Sequence, residues 1–225
     1  MSKIIEVVNL DKSFVQGDVR LDVLKGVSLS VDAQEFLALV GPSGCGKSTL
    51  LQIIGLLDGF DLGDIKFLGK SFKNLNDTQK TAIRRSDIGF IFQFHHLLAE
   101  FTALENVMLP LLINGASKKD AKLRAEEMLD DLHILNRSSH KPGSLSGGEQ
   151  QRVAIARAIV HKPKLILADE PTGNLDPENA DNIFKIFRNA IDKYNITTIF
   201  VTHNLDLAKK SDRVLTIKNG VLSEL

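Results

Sequence analysis

The sequence predicts an α/β protein built on a mainly parallel sheet, and three observations carry that expectation. The runs "FLALVG" (36–41), "IGFIFQ" (88–93), "LILAD" (165–169) and "TTIFVTH" (197–203) are almost wholly apolar, as strands covered on both faces are. Helical stretches separate these runs, which is what the crossovers of a parallel sheet require. The chain is also long enough, at 225 residues and 43% hydrophobic composition, to close a core without covalent staples.

Taken in order, the N-terminal stretches "IIEVVNL" and "VSLSV" alternate apolar and polar positions, so antiparallel strands flank the parallel core. After the first buried strand, "STLLQIIGLL" reads as a helix. From about 96 to 150 the pattern turns helical. There "SKKDAKLRAEEMLDDL" places Ala121, Ala125, Met128, Leu129 and Leu132 on one face, and Ser117 with Asp120 suggests a capping box at its start. A helical lobe inserted into the sheet accounts for this segment, although an ordinary crossover helix would show the same periodicity. The organisation expected is one domain over 1–225, with a core from 1–95 and 151–225 and a helical subdomain from 96–150. In "RVLTIKNGVLSEL", Asn219-Gly220 between two strand-like runs predicts a tight hairpin. The chain stops soon after it, so no appended domain is expected.

Composition excludes several classes. One cysteine, Cys45, rules out an internal disulfide framework and a cysteine-based zinc cluster, and fits a reducing compartment. The opening residues show no secretory signal. The longest conspicuous apolar run, "VMLPLLI" (107–113), falls well short of the roughly 20 residues that span a bilayer. With 28 basic and 28 acidic residues there is no global field to hold nucleic acid, so no nucleic-acid partner is expected.

The chemistry begins at "GPSGCGKST" (41–49). Residues Gly41 to Ser48 fit the phosphate-loop pattern between a buried strand and a helix, the context that pattern needs. In the loop of Gly41, Pro42, Ser43, Gly44, Cys45 and Gly46, the glycines let backbone N–H groups wrap around phosphates; Lys47 adds positive charge, and Ser48 offers a hydroxyl to Mg²⁺. Cys45 reads either as a thiol activated by Lys47 or as a small residue turned aside. Downstream, "LILADE" ends a strand on Asp169 and Glu170, where one acid can hold Mg²⁺ and the next can polarise an attacking water. Gln93 and His203 end two further strands; each alone reads equally as an ordinary surface residue. His95 and His96 lack the spacing of metal ligands and read as part of a contact surface. A second candidate anion cradle, "LSGGEQQR" (145–152), opens another helix with Ser146, Gly147, Gly148 and Glu149.

The ordered set "GPSGCGKST", Gln93, "LSGGEQQR", "LILADE", "NLD" (174–176) and His203 resembles the nucleotide-binding subunit of ABC transporters, over essentially the whole chain. That resemblance implies a P-loop NTPase of the ABC type, with a RecA-like parallel-sheet core, an antiparallel β subdomain and an inserted helical subdomain. It implies ATP hydrolysis with Mg²⁺, in a homodimer where Ser146, Gly147 and Gly148 of one copy close over ATP held by the other. The residues alone would also permit the two cradles to meet within one chain.

The family resemblance further assigns Glu170 as general base, with Gln93 and His203 beside the reacting phosphate. Ser48, Gln93 and Asp169 go to Mg²⁺, and Lys47 and Thr49 to phosphates. Asp176 is given to communication across the dimer, and Phe14 in "KSFVQG" to adenine stacking. "FQFHHLLAEFTALENVMLPLLI" (92–113), "IIGLLDGF" and "ADEPTGNLD" are similar to the branch of that family serving lipoprotein release and macrolide export. The implied setting is the cytoplasmic face of a bacterial inner membrane, bound to integral-membrane subunits, with lipoprotein as indirect cargo. Related macrolide-export or cell-division systems are the alternative. A chromosome-structuring ATPase would need a long coiled-coil insertion, and a P-loop kinase would have no use for "LSGGEQQR". Gln34 and Ala99 depart from the pattern, standing where the family usually carries glycine and close relatives carry proline.

Overall fold

A computed structural model describes residues 2–17 and 19–225. Along the chain run β1 (Lys3–Gln16), β2 (Val19–Asp32), β3 (Phe36–Val40), α1 (Lys47–Ile54), β4 (Leu62–Phe67), β5 (Lys70–Ser71), α2 (Asp77–Ser86) and β6 (Ile88–Ile91). There follow α3 (Ala103–Ile113), α4 (Lys118–Asp131), α5 (Gly147–Ile159), β7 (Leu165–Asp169), α6 (Pro177–Tyr194), β8 (Thr197–Val201), α7 (Leu205–Ala208), β9 (Arg213–Lys218) and β10 (Val221–Glu224). The chain divides into two compact units, Met1–Arg84 with Thr197–Leu225, and Arg85–Ile196.

In the first unit, β3 pairs in parallel with β8 and with β9, while β10 returns antiparallel to β9. Every residue of β3 and β8 is buried, the condition of strands covered on both faces. Phe36 and Phe200 pack at 4.9 Å between ring centroids. The β9–β10 hairpin turns at Asn219 (φ 53°) and Gly220 (φ 82°), and the positive φ at both central residues is what the tight two-residue turn demands. Antiparallel β2, β1, β4 and β5 form the other sheet of this unit, with Ile5, Val7 and Leu10 of β1 buried. Gly63 is forced there, because a Cβ would stand 2.4 Å from the Asn9 carbonyl oxygen.

In the second unit β6 and β7 pair in parallel, and α3, α4, α5 and α6 pack about their apolar faces. Ala121, Ala125, Met128, Leu129 and Leu132 are all buried, as the periodicity of this segment required. Ser117 accepts the Asp120 N–H at 3.1 Å, but the Asp120 carboxylate takes the Ser117 hydroxyl instead of a backbone N–H, so the cap is one-sided. Full capping boxes stand at two places the periodicity did not single out, Thr102–Glu105 on α3 and Ser146–Glu149 on α5. Two strands end earlier than their apolar runs. Strand β6 stops at Ile91, leaving Gln93 beyond the ladder, and β8 stops at Val201. There Thr202 accepts the Asn204 N–H at 3.0 Å, and Asn204 caps α7, so the chain has already turned away.

Candidate active site

The first unit carries the phosphate loop. A Cβ at Gly41 would lie 2.6 Å from the Ile217 carbonyl oxygen, and one at Gly46 would lie 3.0 Å from the Val23 carbonyl oxygen, so neighbouring backbone crowds a larger residue at both. Gly46 (φ 104°) precedes α1 with no side-chain cap and no acid in the first turn. The first-turn N–H groups and the positive end of the helix are therefore left to an anion. The Lys47 side chain is buried, and its ammonium donates to the Gly41 and Pro42 carbonyls at 2.9 Å each. Those bonds hold a full positive charge beneath the loop. Cys45 is a free, half-buried thiol whose Sγ lies 3.8 Å from Lys47 Nζ. Ser48 is exposed and Thr49 half-buried.

His203 is exposed just past β8, flanked by the Thr202–Asn204 turn that fixes its backbone. Phe14 lies opposite Leu21 on the β1–β2 pair and is 44% exposed. Lys12 Nζ sits 4.7 Å from its ring centroid and also pairs with Asp58 at 3.0 Å.

The second unit brings Gln93, Asp169 and Glu170 to the ends of β6 and β7. Glu170 has φ 47°, a left-handed conformation uncommon for a residue with a side chain and a form of strain that collects at functional sites. The turn that follows is closed by Gly173 N–H donating to the Glu170 carbonyl at 3.0 Å. A Cβ on Gly173 would meet Glu170 Cβ at 3.2 Å and Gln93 Nε2 at 3.3 Å, so the turn packs directly between the two. Asn174 completes the contact: Gln93 Nε2 donates to its Oδ1 at 3.2 Å, and Asn174 Nδ2 donates to the Gln93 carbonyl at 2.7 Å. Asn174 lay within the quoted "NLD", but nothing in its letters tied it to Gln93, 81 residues earlier.

The helix start at Ser146 lies in this unit as well. Ser146 accepts the Glu149 N–H at 3.3 Å, and the Glu149 carboxylate accepts the Ser146 N–H at 2.8 Å. Arg137 adds an ion pair to Glu149 at 2.9 Å. The bond from the Ser146 backbone, with Arg137 adding to it against partial burial, holds the Glu149 carboxyl below its ordinary range. Glu149 thus shapes the cradle from behind, and the letters Ser-x-x-Glu could have shown this. A Cβ on Gly148 would stand 3.1 Å from Ile183, and one on Gly147 3.5 Å from Leu175, so the glycines also seat α5 against the "NLD" turn and α6. Asp176 caps α6 through Asn179, whose side-chain and backbone donors lower its carboxyl pKa.

The residues offered to Mg²⁺ are a hydroxyl (Ser48), a carboxylate (Asp169) and an amide oxygen (Gln93), hard donors that suit it. Among the described residues no cluster of three or more His, Cys, Asp or Glu side chains gathers a metal, and at His95 and His96 the backbone is engaged. Their carbonyls accept Arg157 at 2.9 and 2.7 Å, and His96 stacks on Phe92 at 5.0 Å. Phe94, Leu98 and Phe101 of the same loop are exposed, as is Ile113 at the end of α3. The loop is held by Asn106, fully buried, which accepts the Leu98 N–H and donates to the carbonyls of Leu98, Phe101 and Thr102 at 2.8–3.1 Å.

A phosphate loop, a strand ending on two acids and a second helix start opened by Ser-Gly-Gly together define a class. The chain belongs to the ABC transporter family, whose profile matches residues 24–173, and it is an ATP-binding, ABC-type ATPase. It is 50% identical to the lipoprotein-releasing system ATP-binding protein LolD of Geobacter metallireducens, over 98% of each chain. The LolD proteins of Zymomonas mobilis and Ruegeria sp. are 49% and 48% identical over 99% and 98% of this chain, and 96% and 97% of their own. Among solved structures, a dimeric post-hydrolysis state of the ATP-binding cassette MJ0796 bound to ADP and Pi superposes with a TM-score of 0.89 at 37% identity, covering 98% of each chain. A second dimeric structure of that cassette gives 0.89 at 38% identity.

Proposed function

We propose that this chain is the ATPase subunit of a transporter that releases lipoproteins from a bacterial inner membrane toward the outer membrane. It works as a homodimer at the cytoplasmic face, bound to integral-membrane subunits that handle the cargo. One observation carries this reading: full-length similarity of 48–50% to lipoprotein-releasing system ATP-binding proteins. Among the described residues no helix is long and apolar enough to cross a membrane, and exposed Phe94, Leu98 and Phe101 of one loop offer apolar side chains to a membrane partner.

In the proposed reaction, Lys47, Thr49 and the first-turn N–H groups of α1 bind the phosphates of ATP. Phe14 stacks on adenine. Ser48, Gln93 and Asp169 would hold Mg²⁺, which would neutralise charge on the phosphates. Glu170 orients the attacking water and takes its proton on the carboxylate, while His203 steadies the terminal phosphate. Ser146, Gly147 and Gly148 of the second copy grip that phosphate from the other side. Hydrolysis removes the charge they hold, so ATP closes the dimer and cleavage lets it open.

The cargo is tested by tagging the chain, solubilising membranes in detergent and identifying the co-purifying integral-membrane subunits by mass spectrometry. Recovery with subunits whose loss leaves lipoproteins at the inner membrane supports the reading. Recovery only with macrolide-export or cell-division subunits contradicts it.

A further inference from the structure

The Gln93–Asn174 pair fixes more than a contact. The Gln93 main-chain carbonyl can only accept a hydrogen bond, so the atom of Asn174 that meets it at 2.7 Å is the donor Nδ2. With Nδ2 committed there, Asn174 presents Oδ1 to the Gln93 side chain, and Oδ1 in turn can only accept. Gln93 must therefore face Asn174 with Nε2, at 3.2 Å, and its Oε1, the other end of the amide, has no hydrogen-bond partner among the described residues. One backbone oxygen thus sets the polarity of both amides. Gly173 makes this reach possible, since a side chain there would press on both Gln93 Nε2 and Glu170 Cβ.

We propose that Asn174 is a positioning residue that orients the Gln93 amide, so that its oxygen and not its nitrogen is presented to the nucleotide's metal ion. The proposal rests on the reading of Gln93 as a metal-side residue given above. Without Asn174 the two ends of the amide compete, and a nitrogen donor turned toward a cation repels it. Asn174 is exposed and supports no core, so fold maintenance does not account for its two bonds to one partner.

The test uses the full chain in a Glu170→Gln background, where turnover is slow, and Mn²⁺ as the probe ion. Isothermal titration gives ATP affinity with Mn²⁺ and with EDTA, and the ratio of the two isolates the metal-dependent part. Asn174→Ala is expected to lower that ratio about tenfold, the low end for loss of a ligand's orienting partner, with affinity in EDTA unchanged. In a Gln93→Glu background both ends of the side chain are oxygen, so Asn174→Ala should leave the ratio unchanged or raise it.

An unchanged ratio in Asn174→Ala, with Gln93→Ala lowering it, overturns the positioning role and leaves the site reading standing. An unchanged ratio in Gln93→Ala removes Gln93 from the metal, and the proposal with it. An equal loss on Asn174→Ala in the Gln93→Glu background shows that amide polarity is not the cause, which also overturns the proposal.

Discussion

Gln34 holds φ +66° between β2 and β3, a left-handed conformation that a side chain disfavours. Its backbone N–H donates to Thr197 Oγ1 at 2.8 Å, and any residue can make that bond. Gln34→Gly should therefore stabilise the protein by about 0.5–1 kcal/mol, relieved strain exceeding the added freedom of the unfolded chain. A rise in the urea midpoint at constant slope would show it; a fall would mean the side chain matters more than the backbone. The departure from the family pattern was visible in "VDAQEF", but the sign of φ was not. At Ser146 the chemistry and the cap can be separated. Asp caps a helix as well as Ser does, yet Ser146→Asp places negative charge where the proposed mechanism has a γ-phosphate gripped. Folding stability should be nearly unchanged while ATPase activity falls about 100-fold, the scale of losing a key phosphate-side interaction. Retained activity would take Ser146 out of the reaction.

Elements inherit their placement from a few buried polar groups. Asn106 bonds four backbone groups of the loop leading into α3; the Leu98 and Thr102 carbonyls also accept backbone N–H groups, so Asn106→Ala leaves those two partnered but takes every side-chain tie of the loop away. The expected loss is about 2–4 kcal/mol, read by thermal unfolding, with proteolysis appearing first between residues 98 and 102. At the far end of α4, the Asp131 carboxylate accepts Tyr194 at 2.5 Å and Lys193 at 2.6 Å, tying α4 to α6. Burial raises that carboxyl, but the two donors outweigh it and the net shift is downward; burial and the same bond drive the Tyr194 hydroxyl upward. Strands and helix faces here were legible because their periodicity is local. The strand ends at Ile91 and Val201 were not, since a cap at Asn204 or a contact from Asn174 competes with the ladder without altering hydropathy. The same holds within the site: "GPSGCGKST" and "LILADE" announce their chemistry, whereas the Asn174 clamp joins residues 81 positions apart.

The molecule as a whole should lose stability in mild acid. Burial depresses the pKa of His161, whose Nε2 sits 3.3 Å from the Ile88 carbonyl, so the folded state favours the neutral ring while the unfolded chain takes up a proton near its ordinary 6.5. Its contribution is present above that value and is lost as pH falls from there through the lower folded pKa, because the unfolded state then binds more protons. Urea unfolding between about pH 7.5 and 5.5 should show stability falling, and His161→Phe should flatten the fall. A slope unaffected by the substitution would place the effect elsewhere.

The claim on which the scheme turns is that ATP joins two copies of this chain. Mass measurement by light scattering on Glu170→Gln, with ATP and Mg²⁺ and then after Mg²⁺ is chelated, tests it directly. The expected result is a doubling of mass with ATP and Mg²⁺ that reverses on chelation. A protein that binds ATP and stays a single copy under the same conditions would contradict it.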